Sequence, residues 1–227
     1  MADSRERFFQ NDIIKALSEQ GWLVGSASEY DRAHALYPED LIGYFKNAWP
    51  ERWEKFCKST PQNPEKVFVQ KTVRELERKG TLDVLRHGFK VPGVKIDLCS
   101  FKPDHRMNPD TERRYTANRL RVVEEVSYSP HARTGDYNPR LDLVLFVNGI
   151  PTATLELKSE FKQTVEHAKR QYKKDRPVKD PVTRKSEPLL TFKRGALVHF
   201  AVSQDEVAMT TKLAGKDTFF LPFNRGT

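Results

Sequence analysis

Apolar side chains recur at Phe9, Ile13 and Leu17 in the stretch Asp3 to Gly21. That spacing places them on one face of a helix, and Asp3 with Glu6 fits a capping box at its start. "YPEDLIGYF" and "PERWEKFC" each open on a proline followed by an acid, which predicts two short helices. Asn63 to Gly80 carries Val69, Val73 and Leu76 on one stripe, with Gly80 as its C-terminal stop. "TLDVLRHG" reads as one more short helix. The pattern changes at Phe89. "FKVPGVKIDLCSF" and "LRVVEEVSYS" are rich in β-branched and alternating apolar residues, with a helix predicted between them at "NPDTERRYTANR". Two apolar runs around Asn148-Gly149 predict a β-hairpin from Arg140 to Glu160. A helix over Gln163 to Asp175 follows, then a Pro-containing basic loop. Three strand-like runs come last: "LLTFKRGALVHFAVS", "EVAMTTKL" and "TFFLPFN".

Helices, then strands, then a helix and more strands predict one α/β or α+β domain over residues 1–227. In it a mixed sheet is flanked by helices. A small helical lobe spans about residues 30–88, and the core comprises about 1–29 and 89–227. No interdomain linker or internal repeat interrupts this order. With 37% hydrophobic and 11% aromatic residues the chain can bury a real core. The start, "MADSRERFFQNDII", has no apolar signal region, and no run reaches the length of a membrane span. Cys57 and Cys99 stand alone, as expected of two buried thiols in a reducing cytoplasm.

Charge placement narrows the function. The net charge is +8, and twelve Lys/Arg against five acids fall between Lys158 and Arg194. Nearly the whole excess therefore follows the hairpin directly. A solvated basic loop would look the same. Clustered cations of this density also suit a polyanion, since they release counterions from a phosphate backbone. Lys162, Lys173, Lys174 and Arg176 are the expected contacts to such a phosphate backbone.

The hairpin itself carries an anomaly. Asp142 sits in its first apolar run, Glu156 and Lys158 in its second. Ionised carboxylates in apolar surroundings need a partner or a metal. Asp142 and Glu156 offer hard oxygens suited to Mg²⁺, and the backbone carbonyl of Leu157 offers a third ligand. Lys158, two residues past Glu156, is expected on the same face, where it would position a water and stabilise charge on a phosphate. A salt-bridged hairpin end, Lys158 with Asp142 or Glu156, uses the same residues. A shared metal also constrains the register. With a plain two-residue turn Asp142 faces Leu155, and Glu156 points to the other side. The metal reading therefore predicts a three-residue loop with Gly149 left-handed, or one bulge before the acids.

The hairpin pattern resembles the Asp…Glu-x-Lys core of the PD-(D/E)xK nuclease superfamily. More narrowly, "RLDLVLFVNGIPTATLELKSEF" resembles the N-terminal nuclease domain of the R subunit of type I restriction enzymes. So do "FFQNDIIKALSEQGWLVG", "YDRAHALYPEDLIGYF", "QTVEHAKRQYKKDR" and "ALVHFAVSQDEVAMTTKLAGKDTFFLPFNRG". The resemblance implies a Mg²⁺-dependent endonuclease acting on double-stranded DNA, with Asp142, Glu156 and Lys158 catalytic. It also implies an ATP-driven translocase further along a longer R subunit, with methyltransferase and specificity subunits as partners. ATP would belong to that motor. Here "LAGKDT" lacks the first glycine of a nucleotide-binding loop and the hydroxyl after its lysine.

Two positions depart from the pattern. Leu141 precedes Asp142 where the superfamily has proline, which sets only local backbone shape. Related nucleases carry Gln-x-x-x-Tyr on the next helix. Gln171 is present here and is expected to reach DNA or the active-site lysine. Asp175 stands at the tyrosine position, and the adjacent Tyr172 falls on a core stripe with Val165 and Ala168. Some members add a glutamate from the first helix to the metal site, which here would be Glu6. His167 reads as a surface residue able to meet phosphate. The rival function is a non-catalytic DNA-binding or subunit-docking module on a degenerate nuclease fold.

Overall fold

The computed structural model describes residues 4–105, 107–159 and 164–223. In chain order come α1 (Ser4–Glu19), β1 (Leu23–Gly25), α2 (Pro38–Ala48), α3 (Pro50–Ser59), α4 (Pro64–Lys79) and α5 (Thr81–His87). Then follow β2 (Phe89–Val91), β3 (Val94–Ile96), α6 (Pro109–Thr116), β4 (Leu120–Ser127), β5 (Arg140–Val147) and β6 (Ile150–Leu157). The chain closes with α7 (Val165–Lys174), β7 (Val198–Val202), β8 (Val207–Thr210) and β9 (Leu221–Pro222). One mixed sheet runs in the order β1-β4-β5-β6-β7-β8-β9. Its β1–β4 and β6–β7 pairs are parallel and the others antiparallel.

The two faces of this sheet are covered by different helices. Phe9, Ile13, Ile14 and Leu17 of α1 pack on Val122, Leu143, Leu155, Leu157 and Val202. Val165 and Ala168 of α7 pack on Ala201 and Ala208. Ala201 and Val202 are neighbours on β7, and successive strand side chains point to opposite faces, so α1 and α7 lie on opposite sides. The sheet is thus buried on both faces at β6, whose last five residues, Ala153 to Leu157, alternate between the two layers.

α2 to α5 form the expected helical layer. Proline opens α2, α3 and α4 at the first turn, where its missing N–H is no loss. Phe45, Trp53, Phe56 and Phe68 interlock there at ring separations of 5.0 to 6.5 Å. The sequence boundary at Phe89 needs correction. Among the described residues β2 and β3 pair only with each other, and Phe89, Val94 and Ile96 join the helical cluster, not the main sheet. A second correction concerns "LLTFKRGALVHFAVS", where only Val198–Val202 is a strand. Leu189, Leu190 and Ala196 are buried there from turns, so their apolar character reports packing on the sheet and not strand pairing.

The lobe holds the turn of the β5–β6 hairpin. Asn148 and Gly149 both have positive φ, 51° and 76°. Tyr37 N–H donates to the Gly149 carbonyl at 2.8 Å, and a Cβ on Gly149 would collide with the Tyr37 carbonyl and the Leu41 amide. Glycine is required by conformation and by space at once. The Asn148 side chain is fully buried and bonds the Leu98 carbonyl, Asn118 and the Arg119 amide. Cys57 and Cys99 are unpaired, and both are partly exposed, not the buried thiols expected.

Candidate active site

The register of the hairpin shifts once. Val147 pairs with Ile150 and Phe146 with Pro151, but Leu145 pairs with Ala153 and Leu143 with Leu155. Thr152 is the extra residue. Its hydroxyl donates to the Leu145 carbonyl at 3.1 Å, and its carbonyl accepts from Leu197 on the other side. A two-residue turn followed by one bulge is the second of the two solutions that the register argument allows. Continued by one step, it sets Asp142 opposite Glu156.

Strand alternation then fails at Asp142. Leu141 packs in the cluster with Tyr172, whereas Leu143 packs in the cluster with α1. On β4 the opposing residue, Glu125, has φ 52° while Leu143 and Leu141 pair with its neighbours Glu124 and Val126. Both strands therefore rotate at this point. Asp142 is left near the sheet plane, where its Oδ2 accepts the Leu157 N–H at 2.6 Å.

Two ion pairs flank it. Glu156 is fully buried and lies on the α7 side with Thr154, whose hydroxyl bonds Tyr172 Oη and His199 Nδ1 at 2.8 Å each. Arg176, just past α7, donates from Nε to Glu156 Oε1 at 2.5 Å and from Nη2 to Oε2 at 3.3 Å. Lys158 lies beyond the end of β6 and reaches Glu6 of α1, Nζ to Oε1 2.6 Å. Three acids meet two cations, a net charge of −1. Burial pushes Glu156 well above the usual carboxylate range, Asp142 adds to the rise, and Arg176 opposes both. Burial also raises Asp142, against the Leu157 N–H and Lys158. Among the described residues no group of three or more His, Cys, Asp or Glu is arranged to hold a metal ion. The donor chemistry of Asp142 and Glu156 still suits a hard divalent cation, with Arg176 now occupying both oxygens of Glu156.

A family model described as the type I restriction enzyme R protein N terminus matches residues 5–218. The chain belongs to this family. No curated protein matches it. The matched span takes in Glu6, the whole hairpin, α7 and Arg176. No described helix of this R-protein N-terminal chain is long and apolar enough to cross a membrane.

Within this family member the expected site residues fare differently. Glu6, Asp142, Glu156 and Lys158 come together, but Lys158 pairs with Glu6 and not with Asp142 or Glu156. Its strand has ended, so alternation no longer sets its direction. Leu157 enters through its N–H, given to Asp142. Arg176, expected as a DNA contact, lies at the site itself, its side chain only 11% exposed because Glu156 draws it inward. Lys174 is exposed and Lys173 partly so, while Lys162 lies outside the described residues, as does Asp3 of the expected capping box. Gln171 is partly buried, and its Oε1 has no hydrogen-bond partner among the described residues. Tyr172 is core, as its stripe implies. His167, expected at the surface, is partly exposed and also caps its helix, its Nδ1 accepting the Thr164 N–H at 3.2 Å. Sequence reasoning missed Arg176 at the site. The available signal was the unpaired buried acid at Glu156, which demands a cation from a following segment.

Proposed function

We propose that the chain is a Mg²⁺-dependent endonuclease domain of the PD-(D/E)xK kind, cutting double-stranded DNA without base preference of its own. The observation that carries this reading is the bulged register, which brings Asp142 opposite Glu156 at the open end of an otherwise apolar hairpin. A buried acid pair there is costly for stability alone, since apolar residues would serve as well or better. Asp142 and Glu156 are the residues that would hold the metal, with the Leu157 carbonyl as a third donor and Glu6 as an outer one. Bound Mg²⁺ supplies Lewis acidity toward the phosphate and acidifies water. Lys158, fixed by Glu6, places the attacking water and balances charge growing on the phosphate oxygens. Lys173 and Lys174 on α7 hold the duplex backbone, and such contacts carry no base information. In the whole enzyme the motor, ATP use, methyltransferase and specificity subunits lie outside this chain.

A second reading, a non-catalytic docking or DNA-binding module, draws on one observation: all three acids are already compensated or bonded within the chain. One experiment separates the two. Asp142→Ala, Glu156→Ala and Lys158→Ala are each assembled into the full enzyme and assayed with plasmid DNA, with Mg²⁺ and with EDTA. The nuclease reading expects cleavage to be lost in all three and in EDTA, with translocation intact. Cutting by the Asp142 and Glu156 variants at wild-type rate overturns it.

A further inference from the structure

We infer that Arg176 competes with the divalent cation for Glu156, and that a DNA phosphate, by drawing Arg176 away, opens Glu156 to the cation. The inference rests on the reading of Asp142 and Glu156 as the metal-holding pair, and goes beyond it by assigning Arg176 the coupling of metal binding to DNA binding. Four observations carry it.

Arg176 commits two nitrogens to the two oxygens of Glu156, at 2.5 and 3.3 Å. That fork takes one lone pair on each oxygen and sets a positive charge beside them, so it opposes a cation at Glu156. Second, Glu156 has no other hydrogen-bond partner among the described residues, and it is fully buried. When Glu156 is ionised, its charge is balanced by Arg176 or by an incoming cation, because Lys158 is held by Glu6. Third, the charge count favours exchange over addition. With Arg176 in place the five groups carry one net negative charge. Replacing Arg176 by a divalent ion makes the cluster neutral, whereas adding the ion beside Arg176 leaves it positive. Fourth, Arg176 stands at the end of α7, two and three residues past Lys174 and Lys173. Among the described residues its remaining nitrogen, Nη1, gives only a long bond to the Asp175 carbonyl, 3.2 Å. A duplex lying on that basic end presents phosphate to the residue whose planar fork fits it best.

Thermodynamic linkage then makes the effect reciprocal: DNA tightens metal binding, and metal tightens DNA binding, by one common factor. Before DNA arrives the arginine weakens the cation's hold on Glu156. The domain holds its metal more tightly where a phosphate is present to be cut.

The test is Mn²⁺ binding by the whole chain, followed by the paramagnetic signal of free Mn²⁺, with and without a short phosphorothioate duplex. In the unaltered chain DNA should tighten Mn²⁺ binding by on the order of tenfold. Arg176→Gln should bind Mn²⁺ more tightly without DNA, by a similar factor, and DNA should then add little. Arg176→Lys keeps the charge without the fork and should fall between the two; it carries the test if Arg176→Gln does not fold. An unchanged Mn²⁺ affinity with a full DNA effect in these variants overturns the inference. Glu156→Gln distinguishes the two levels. If it binds Mn²⁺ like the unaltered chain, the metal-site reading itself fails and the inference falls with it. If it loses Mn²⁺ while the Arg176 variants behave as wild type, only the coupling falls.

Discussion

Leu141 and Leu143 are two residues apart on one strand, yet they pack on opposite faces of the sheet. A regular strand would put both on one face. The residue between them is Asp142, and the residue across from it, Glu125, has φ 52°. The rotation is what frees Asp142 from either apolar layer and turns its carboxylate to the Leu157 N–H.

Glu125 should therefore respond to substitution through its backbone. A left-handed conformation costs an L-residue about 1–2 kcal/mol, and a β-branched side chain bears it worst. Glu125→Gly should leave stability within about 1 kcal/mol of wild type, because glycine takes positive φ freely but loses more chain entropy. Glu125→Val should cost about 1–2 kcal/mol in urea unfolding and lower cleavage by the assembled enzyme, since Asp142 is aimed by this rotation. Equal stability of the valine variant would mean that the rotation is not held at Glu125.

Where local chemistry decides structure, the chain could be read directly. Pro-acid pairs mark the starts of α2 and α3, Pro64 that of α4, and Asn148-Gly149 marks the turn with two positive φ values. The parity of the acids required a bulge or a longer loop, and the bulge is at Thr152. What stayed hidden depends on tertiary contacts. β1 is three residues long and mostly exposed, so no alternation announces it. Glutamate is no signal for a left-handed residue. The partner of Glu156 is twenty residues on, in a loop whose local pattern says only that it is basic.

The lobe should depend on one buried ion pair. Arg121 of β4 donates to Asp40 of α2 from Nε at 2.5 Å and from Nη2 at 2.8 Å, and both residues are buried. Asp40→Ala leaves Arg121 with only the exposed Glu39, 3.7 Å away, takes Asp40 from Arg119 as well, and should cost about 3–5 kcal/mol by thermal or urea unfolding. Asp40→Leu with Arg121→Met should recover part of that, since it removes the buried arginine and leaves Arg119, 3.0 Å from Asp40, to Glu39 alone. A single Asp40→Ala variant within 1 kcal/mol of wild type, by the same principle, would show that the pair does not anchor the lobe.

DNA affinity should map to the exposed end of α7. Lys174 is exposed, Lys173 partly so, and neither has an ion-pair partner among the described residues. Replacing both with glutamine should weaken binding and reduce the dependence of log affinity on log salt by about two, roughly 0.9 per lost phosphate contact. Lys169 already pairs with Glu166 at 2.6 Å and should matter less. A salt dependence unchanged in the double variant would place the duplex elsewhere.

The last expectation concerns acid. His199 is 1% exposed, holds Thr154 through Nδ1 at 2.8 Å, and burial lowers its pKa from 6.5 to about 4. Between those values the unfolded chain binds a proton that the folded chain refuses. Stability from this residue is therefore complete above pH 6.5 and is lost as pH falls toward 4. The full loss is about 3 kcal/mol at 1.36 kcal/mol per unit. Glu156 and Asp142 act with the opposite sign, because their raised pKa values make the folded state the better proton acceptor. Comparing wild type with His199→Gln cancels their contribution. The stability difference between the two proteins should shrink by about 3 kcal/mol from pH 7 to pH 4, measured by urea unfolding. A difference that stays constant over that window would mean that His199 takes up its proton alike in the folded and unfolded chain, and that burial does not exclude it.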